Sequence, residues 1–260
     1  MTGSMSRCTT SLPVLPWRTR AAIFLRLFAI QGSWNYELLV GNGVAFSLEP
    51  ALRLLPGGID GAAYREALAR QARYFNAHPY FASVAVGALA RAELEGSSPA
   101  QIERFRTALP GPLGSVGDRL VWAGWLPFCS LLGLLAFGVG AHPAATLLIF
   151  LITYNVGHIG LRAWGLRVGW RHGLRVAAAL GNPVLRKGPL HLARAAALLA
   201  GIAIPLALLR IIGPERDAVG TTLLAAVFIS IVLGRLHGRV PGWRVAFGVL
   251  VIFALFSVAR

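Results

Sequence analysis

The sequence predicts an all-α polytopic membrane protein: cytoplasmic-side amphipathic and re-entrant helices followed by about five transmembrane helices. Three observations predict it. The 260 residues are 56% hydrophobic and 13% charged, with mean hydropathy +0.63, whereas globular domains carry roughly 25% charged residues. The 25 Lys and Arg against 10 Asp and Glu are scattered through short links between apolar runs. They are not gathered on one soluble face, which argues against nucleic-acid binding. Several apolar runs approach the roughly 20 residues that a helix needs to cross a hydrocarbon core of about 30 Å. Disorder, collagen and a disulfide-built scaffold are excluded by the same composition.

The elements follow in chain order. Residues 1–19 read as a flexible N-terminal tail, and Met1–Arg20 lacks the apolar core of about 7–15 residues that a cleavable signal peptide needs. Residues 20–119 read as an amphipathic and re-entrant helical region. Within it, Ala21–Ile30 is apolar except for Arg26, and Phe81–Ala90 is uncharged throughout and apolar but for Ser83. Both are too short to span, which suits interfacial or re-entrant segments. Gly61–Ala77 reads as a surface helix with Glu66 and Arg70 paired at i,i+4, and Pro79 disfavours helical backbone at His78. Ser98-Pro99-Ala100-Gln101 is a capping-box start with proline at the first helical position. That helix is expected to stop at Pro110-Gly111-Pro112.

Residues 120–260 form the transmembrane region. Its expected spans are Leu120–Ala141, Ala144–Leu161, Leu192–Ile212, Gly220–Leu236 and Trp243–Ala259. Arg194 and Arg210 lie near the ends of the third, where long side chains reach the interface. The expected loop 162–191 carries Arg162, Arg167, Arg171, Arg175, Arg186 and Lys187 with no acidic residue, and the 235–244 link carries three arginines and no acid. The 213–219 link is mixed in charge, and the 141–143 link has no Asp, Glu, Lys or Arg. This alternation turns the basic loops and the N-terminal half to the cytoplasm and leaves the C-terminus outside.

Three polar clusters interrupt the apolar background. The first is Gln31-Gly32-Ser33-Trp34-Asn35-Tyr36-Glu37. Aromatic rings beside amide and carboxylate groups suit a sugar, whose C–H face packs on the ring while Asn and Glu bond its hydroxyls. The same residues equally suit an amphipathic helix anchored at the interface by Trp34 and Tyr36. The second is Tyr74-Phe75-Asn76-Ala77-His78-Pro79-Tyr80, where His78 either bonds a ligand or caps the preceding helix. A phosphohistidine needs an exposed ring and a docking surface, which nothing near His78 supplies. The third is Gly111-Pro112-Leu113-Gly114-Ser115-Val116-Gly117-Asp118. Its glycines permit close backbone approach, and Asp118 is placed to cap the helix starting at Leu120. Broken backbone feeding a helix N-terminus also builds transporter sites, but the GxxxxGK[ST] phosphate loop is absent.

Asn155 and His158 are further polar residues inside the second span, functional candidates by position or interhelical hydrogen bonders. Cys8 and Cys129 lie in a tail and an apolar run, so neither a disulfide nor a metal site is expected. No HExxH, CxxC, catalytic triad or paired carboxylates occur, so the chain reads as no enzyme acting alone, with no cofactor and no metal.

Four stretches, Ile30–Glu37 (IQGSWNYE), Phe75–Tyr80 (FNAHPY), Gly111–Asp118 (GPLGSVGD) and Leu161–Gly173 (LRAWGLRVGWRHG), closely resemble the IID subunit of the mannose/fructose/sorbose family of the bacterial sugar phosphotransferase system. Their order and spacing fit across most of Arg20–Gly173. One departure is Gly114-Ser115-Val116, where the family more often reads Ala-Gly-Ile. The resemblance implies a multi-pass subunit of the bacterial inner membrane that pairs with a IIC membrane subunit to form a hexose path. Cytoplasmic IIA and IIB subunits then carry the phosphoryl group, and IIB phosphorylates the incoming sugar. It further implies that Gln31, Trp34, Asn35, Tyr36, Glu37, Asn76, His78, Gly117 and Asp118 lie on the substrate path or the IIC interface. The alternative is a non-transporting regulatory or scaffolding protein derived from such a subunit.

Overall fold

Burial of apolar faces against one another organises the chain into helices around a small N-terminal core and a set of long apolar rods. The computed structural model describes residues 14–212. The spans expected at Gly220–Leu236 and Trp243–Ala259 lie outside these residues, as does most of the N-terminal tail. Among the described residues the regular structure is helical, with only the isolated backbone bridges Asn35–Leu39 and Leu39–Phe75.

Helix α1 (Trp17–Arg26) is amphipathic. It buries Ile23, and the 3-10 turn after it buries Leu27, while Trp17 and Leu25 stay exposed. Helix α2 (Gly41–Leu52) packs on α1. Helix α3 (Ala62–Gln71) ends well before His78, so the expected helix through Ala77 is shorter. Arg70 also passes over its i,i+4 neighbour Glu66. Its guanidinium forks onto Glu93 at 3.1 and 2.8 Å, from which Gln71 and then Arg106 continue a buried chain at 2.6 Å each. A shared, half-buried bidentate pair is worth more than an exposed helical pair.

Helix α4 (Ala82–Leu94) contains the apolar run from the run's second residue on, with Phe81 as the helix N-cap. Every residue from Ala82 to Ala90 is buried, enclosed by α2 and the long helix α8 (Pro143–His172). A short apolar helix wrapped in protein is the arrangement that tolerates non-spanning backbone at depth. Small residues let α4 and α8 touch backbone to backbone. A Cβ on Gly87 would stand 2.4 Å from the Leu166 carbonyl, and one on Gly169 would stand 2.1 Å from the Val84 carbonyl. Gly165 and Gly169 thus form a GxxxG face, the close-approach device of membrane helices.

Helix α5 (Pro99–Ala108) begins with the expected capping box: Ser98 Oγ accepts from the Gln101 N–H at 3.3 Å, and Gln101 Oε1 accepts from the Ser98 N–H at 3.2 Å. The chain does not stop at Pro110. Helix α6 (Pro110–Gly117) resumes after a bend at Leu109, because proline restricts the residue before it and is tolerated in a first helical turn. Helical backbone then runs on through a π-helical stretch, Asp118–Trp125, into α7 (Leu126–Gly138). Pro127 lacks an N–H and crowds the carbonyl four residues back, and the wider π turn relieves that clash. The break expected at Gly117–Asp118 is therefore continuous helix, and Asp118 is not its N-cap.

Among the described residues, three helical runs are long and apolar enough to cross a membrane: Pro99–Gly138, Pro143–Arg175 and Ala177–Ile211. Short α9 (Ala177–Leu180) leads into α10 (Pro183–Ile212), which packs along α7. The expected loop 162–191 is largely helix. Residues 162–172 continue α8, a 3-10 turn covers Gly173–Arg175, and α10 already starts at Pro183. Arginine is a good helix former, so a basic stretch extends a helix past the apolar zone instead of unwinding it.

Candidate functional site

The second and third polar clusters meet. A cavity of about 870 Å³ is walled by Arg73, Asn76 and His78 on one side and by Glu103, Ser115 and Asp118 on the other. The α3–α4 connection supplies the first wall and the α5–α6 bend the second. Asn76 and Asp118 are exposed there, and among the described residues neither side chain makes an ion pair or hydrogen bond. They are open to a ligand or partner.

His78 is 3% exposed. Its Nδ1 accepts from the Tyr80 N–H at 3.2 Å, which turns the chain into α4, so it does not cap α3. The ring lies 4.9 Å from Trp122 and 5.0 Å from Tyr80, centroid to centroid, and its Nε2 is buried without a partner. Burial, reinforced by the nearby Arg162 charge, pushes its pKa down to about 4. His78 is thus a buried, apolar-packed part of the cavity wall. Gly117 faces it directly: a Cβ there would lie 2.3 Å from the His78 Cβ. That contact, more than backbone freedom, explains a glycine at this position.

The first cluster stands beside this cavity without lining it. Gln31–Glu37 is a run of turns, so the amphipathic-helix reading of these residues fails. Asn35 Oδ1 accepts from the N–H groups of Glu37 and Leu38 at 3.0 and 2.8 Å, an Asx turn. It ends at Leu39 with φ 50°, a left-handed conformation that leucine rarely adopts. Backbone bonds then clip the loop to the second cluster: Phe75 N–H to Leu38 O at 3.2 Å and Val40 N–H to Phe75 O at 3.1 Å. Trp34 and Tyr36 form an exposed edge-to-face pair at 4.9 Å, with Tyr36 88% exposed. Gln31 and Glu37 are exposed beside them.

A second polar centre includes His158, already a candidate from sequence, but its hub escaped the sequence reading. Arg162, expected in a cytoplasmic loop, is 3% exposed. Its guanidinium donates to the carbonyls of Leu27 and Pro79, and its Nε donates to His158 Nε2 at 2.8 Å. It also lies 4.8 Å from the Tyr80 ring centroid and 5.3 Å from that of Phe28. His158 stacks on Tyr80 at 4.2 Å, and the Tyr80 and Tyr154 hydroxyls bond each other. Among the described residues no carboxylate pairs with Arg162. One cation therefore ties the turn after α1, the segment that leads into α4, and α8 together through carbonyl dipoles, an imidazole and aromatic faces. Asn155, His158 and Arg162 are spaced i, i+3, i+7, so they share a helix face, and that was the available signal.

Among the described residues no group of His, Cys, Asp and Glu is arranged to hold a metal ion. Nor do they contain a nucleophile paired with a base.

Residues 15–208 match the family model for the mannose/fructose/sorbose family IID component of the phosphotransferase system. The chain is 30% identical over 173 residues to the mannose-specific EIID component of Escherichia coli K12, covering 64% of this chain and 59% of that protein. It is 29% identical over 171 residues to the fructose permease IID component of Bacillus subtilis 168, covering 64% and 61%. The sorbose-specific EIID component of Klebsiella pneumoniae is 30% identical over 172 residues, covering 64% and 61%. The matched part thus spans about three fifths of these relatives' own length. The fold is shared with a chain of the mannose transporter ManYZ solved with microcin E492 (TM-score 0.56, 24% identity, 95% of this chain and 97% of that one). A second solved membrane protein shares it with TM-score 0.69 at 22% identity, covering 95% and 98%.

Proposed function

The chain belongs to the mannose/fructose/sorbose IID family of the phosphotransferase system, and on that premise we propose that it pairs with a IIC subunit to translocate a hexose. IIA and IIB pass the phosphoryl group in the cytoplasm, and IIB phosphorylates the sugar as it emerges. The drive is then phosphoenolpyruvate, since the phosphorylated sugar is an anion that cannot recross lipid. This subunit contributes no catalytic group of its own. Residues 20–119 form the cytoplasmic-side helical region and residues 120–260 the transmembrane region, in the inner membrane with the C-terminus outside.

The observation that carries this reading is the meeting of two family-like stretches, Phe75–Tyr80 and Gly111–Asp118, around one polar cavity, with a third, Ile30–Glu37, clipped to it through Phe75. The cavity falls in the size range of small-molecule sites, about 300–1,000 Å³. Asn76 and Asp118 offer hydrogen bonds to sugar hydroxyls or to IIC, and His78 and Gly117 hold the wall in place. Gln31, Trp34, Asn35, Tyr36 and Glu37 present an exposed aromatic and polar loop suited to the IIC contact.

The test is co-purification. Expressed with its IIC partner, the chain should elute as a stable pair that a transported hexose stabilises further, and Asn35→Ala should weaken the pair. A chain that elutes without IIC from mild detergent would refute the reading.

A further inference from the structure

A second cavity, of about 820 Å³, lies between α1 and the far end of α8. Its rim carries Arg20, Arg167 and Arg171, and its floor is Leu15, Phe24, Trp164 and Leu166. No acidic residue lines it. Among the described residues, none of these three guanidinium groups makes an ion pair or a side-chain hydrogen bond, although five other arginines are paired with carboxylates. Arg167 and Arg171 stand at i,i+4, where like charges repel. An anion between them and Arg20 would turn that repulsion into charge-assisted hydrogen bonds.

Depth settles which anion fits. From Pro143, where α8 begins, Arg167 lies 24 residues along, or about 36 Å at 1.5 Å per residue. A helix entering lipid near Pro143 has by then crossed the roughly 30 Å hydrocarbon core and reached the headgroup zone. Trp17 and Trp170 also line this cavity, and tryptophan is the residue that marks that zone. The apolar slot sits beside the charged rim, so head and tail belong to one molecule.

We propose that this cavity is a binding site for one anionic phospholipid. The phosphate rests among Arg20, Arg167 and Arg171, and an acyl chain lies along Phe24, Trp164 and Leu166. A zwitterionic headgroup brings its own cation against three arginines and is disfavoured. This inference rests on the membrane reading above and is independent of the sugar.

The full chain is purified in mild detergent and exposed to phosphatidylglycerol or phosphatidylcholine, with retention read by native mass spectrometry. Wild type should retain one phosphatidylglycerol with a preference of roughly thirtyfold or more, the size that two or three arginines near an anionic headgroup provide. R167Q/R171Q should fall to the phosphatidylcholine level, while R167K/R171K keeps most of the preference. Brominated-chain phosphatidylglycerol should quench wild-type tryptophan fluorescence, and W164F should lose part of that quenching even if the glutamine variant misfolds. Equal retention of both lipids, retention unchanged in the folded glutamine variant, quenching unchanged in W164F, or binding of inorganic phosphate alone would overturn the site. So would occupation of these arginines by the IIB subunit in preference to lipid. Extraction of the chain from membranes without detergent would instead defeat the membrane reading, so the two failures are separable.

Discussion

Gly169→Ala should loosen the seam on which the site depends. The added methyl would lie 2.1 Å from the Val84 carbonyl oxygen and 2.8 Å from the Ala88 amide nitrogen. Ordinary contact begins near 3.4 Å, so α4 and α8 must part by roughly 1.3 Å. Overpacking typically costs about 1–3 kcal/mol, and here backbone faces backbone, so the upper end applies. The better helix propensity of alanine returns about 0.8–1.0 kcal/mol, leaving a net loss of about 2 kcal/mol. At roughly 2–4 °C per kcal/mol for a chain of this size, the melting temperature should drop by about 4–8 °C. Gly160 supplies the control, because it lies on the same helix with nothing within 4 Å. Gly160→Ala should be neutral or slightly stabilising. Thermal unfolding of both variants in one detergent reads the difference, and equal shifts would refute the packing argument.

Arg162→Gln should cost about 3 kcal/mol or more, since two carbonyls and the His158 imidazole lose a charged donor, with each such bond worth about 1.5–3 kcal/mol; melting in detergent checks it. Labelled His78 should show a neutral imidazole down to about pH 4 in an NMR titration. Because the unfolded chain takes its proton near about pH 6.5, His78 erodes stability as pH falls from there towards about 4, below which native protonation ends the loss. Asp118→Ala should leave the melting temperature unchanged, the carboxylate being exposed and unpaired among the described residues. It should nevertheless abolish sugar uptake, and uptake at the wild-type rate would remove Asp118 from the site.

Local chemistry carried the parts of the fold that the residues announced. The capping box at Ser98 and Gln101 depends on residues three apart, and the long apolar runs depend only on their own length. What failed depended on distant partners. Arg70 chooses Glu93 over Glu66 because α3 and α4 both pack on α2 and are brought side by side, a contact that no helical period encodes. Arg162 was placed in a loop because charge normally marks a span's end. The carbonyls of Leu27 and Pro79, far away in sequence, help make its burial tolerable. Gly117 and Asp118 are expected at a break in the backbone, yet the structure has continuous helix there. Proline at a first helical position bends the chain without breaking it, and the π turn before Pro127 keeps it helical. The Gln31–Glu37 cluster kept its polar face but not its helical alternative, because Asn35 bonds the backbone two and three residues on.

The central claim is that this chain works only as part of a phosphoryl-driven pair. Membrane vesicles carrying the chain and its IIC partner, loaded with IIA, IIB, the general soluble phosphocarriers that charge IIA, and phosphoenolpyruvate, should convert external labelled hexose to internal sugar phosphate. Omitting either the chain or IIB should stop that conversion. Accumulation of free sugar by the chain alone, or full conversion without it, would contradict the account.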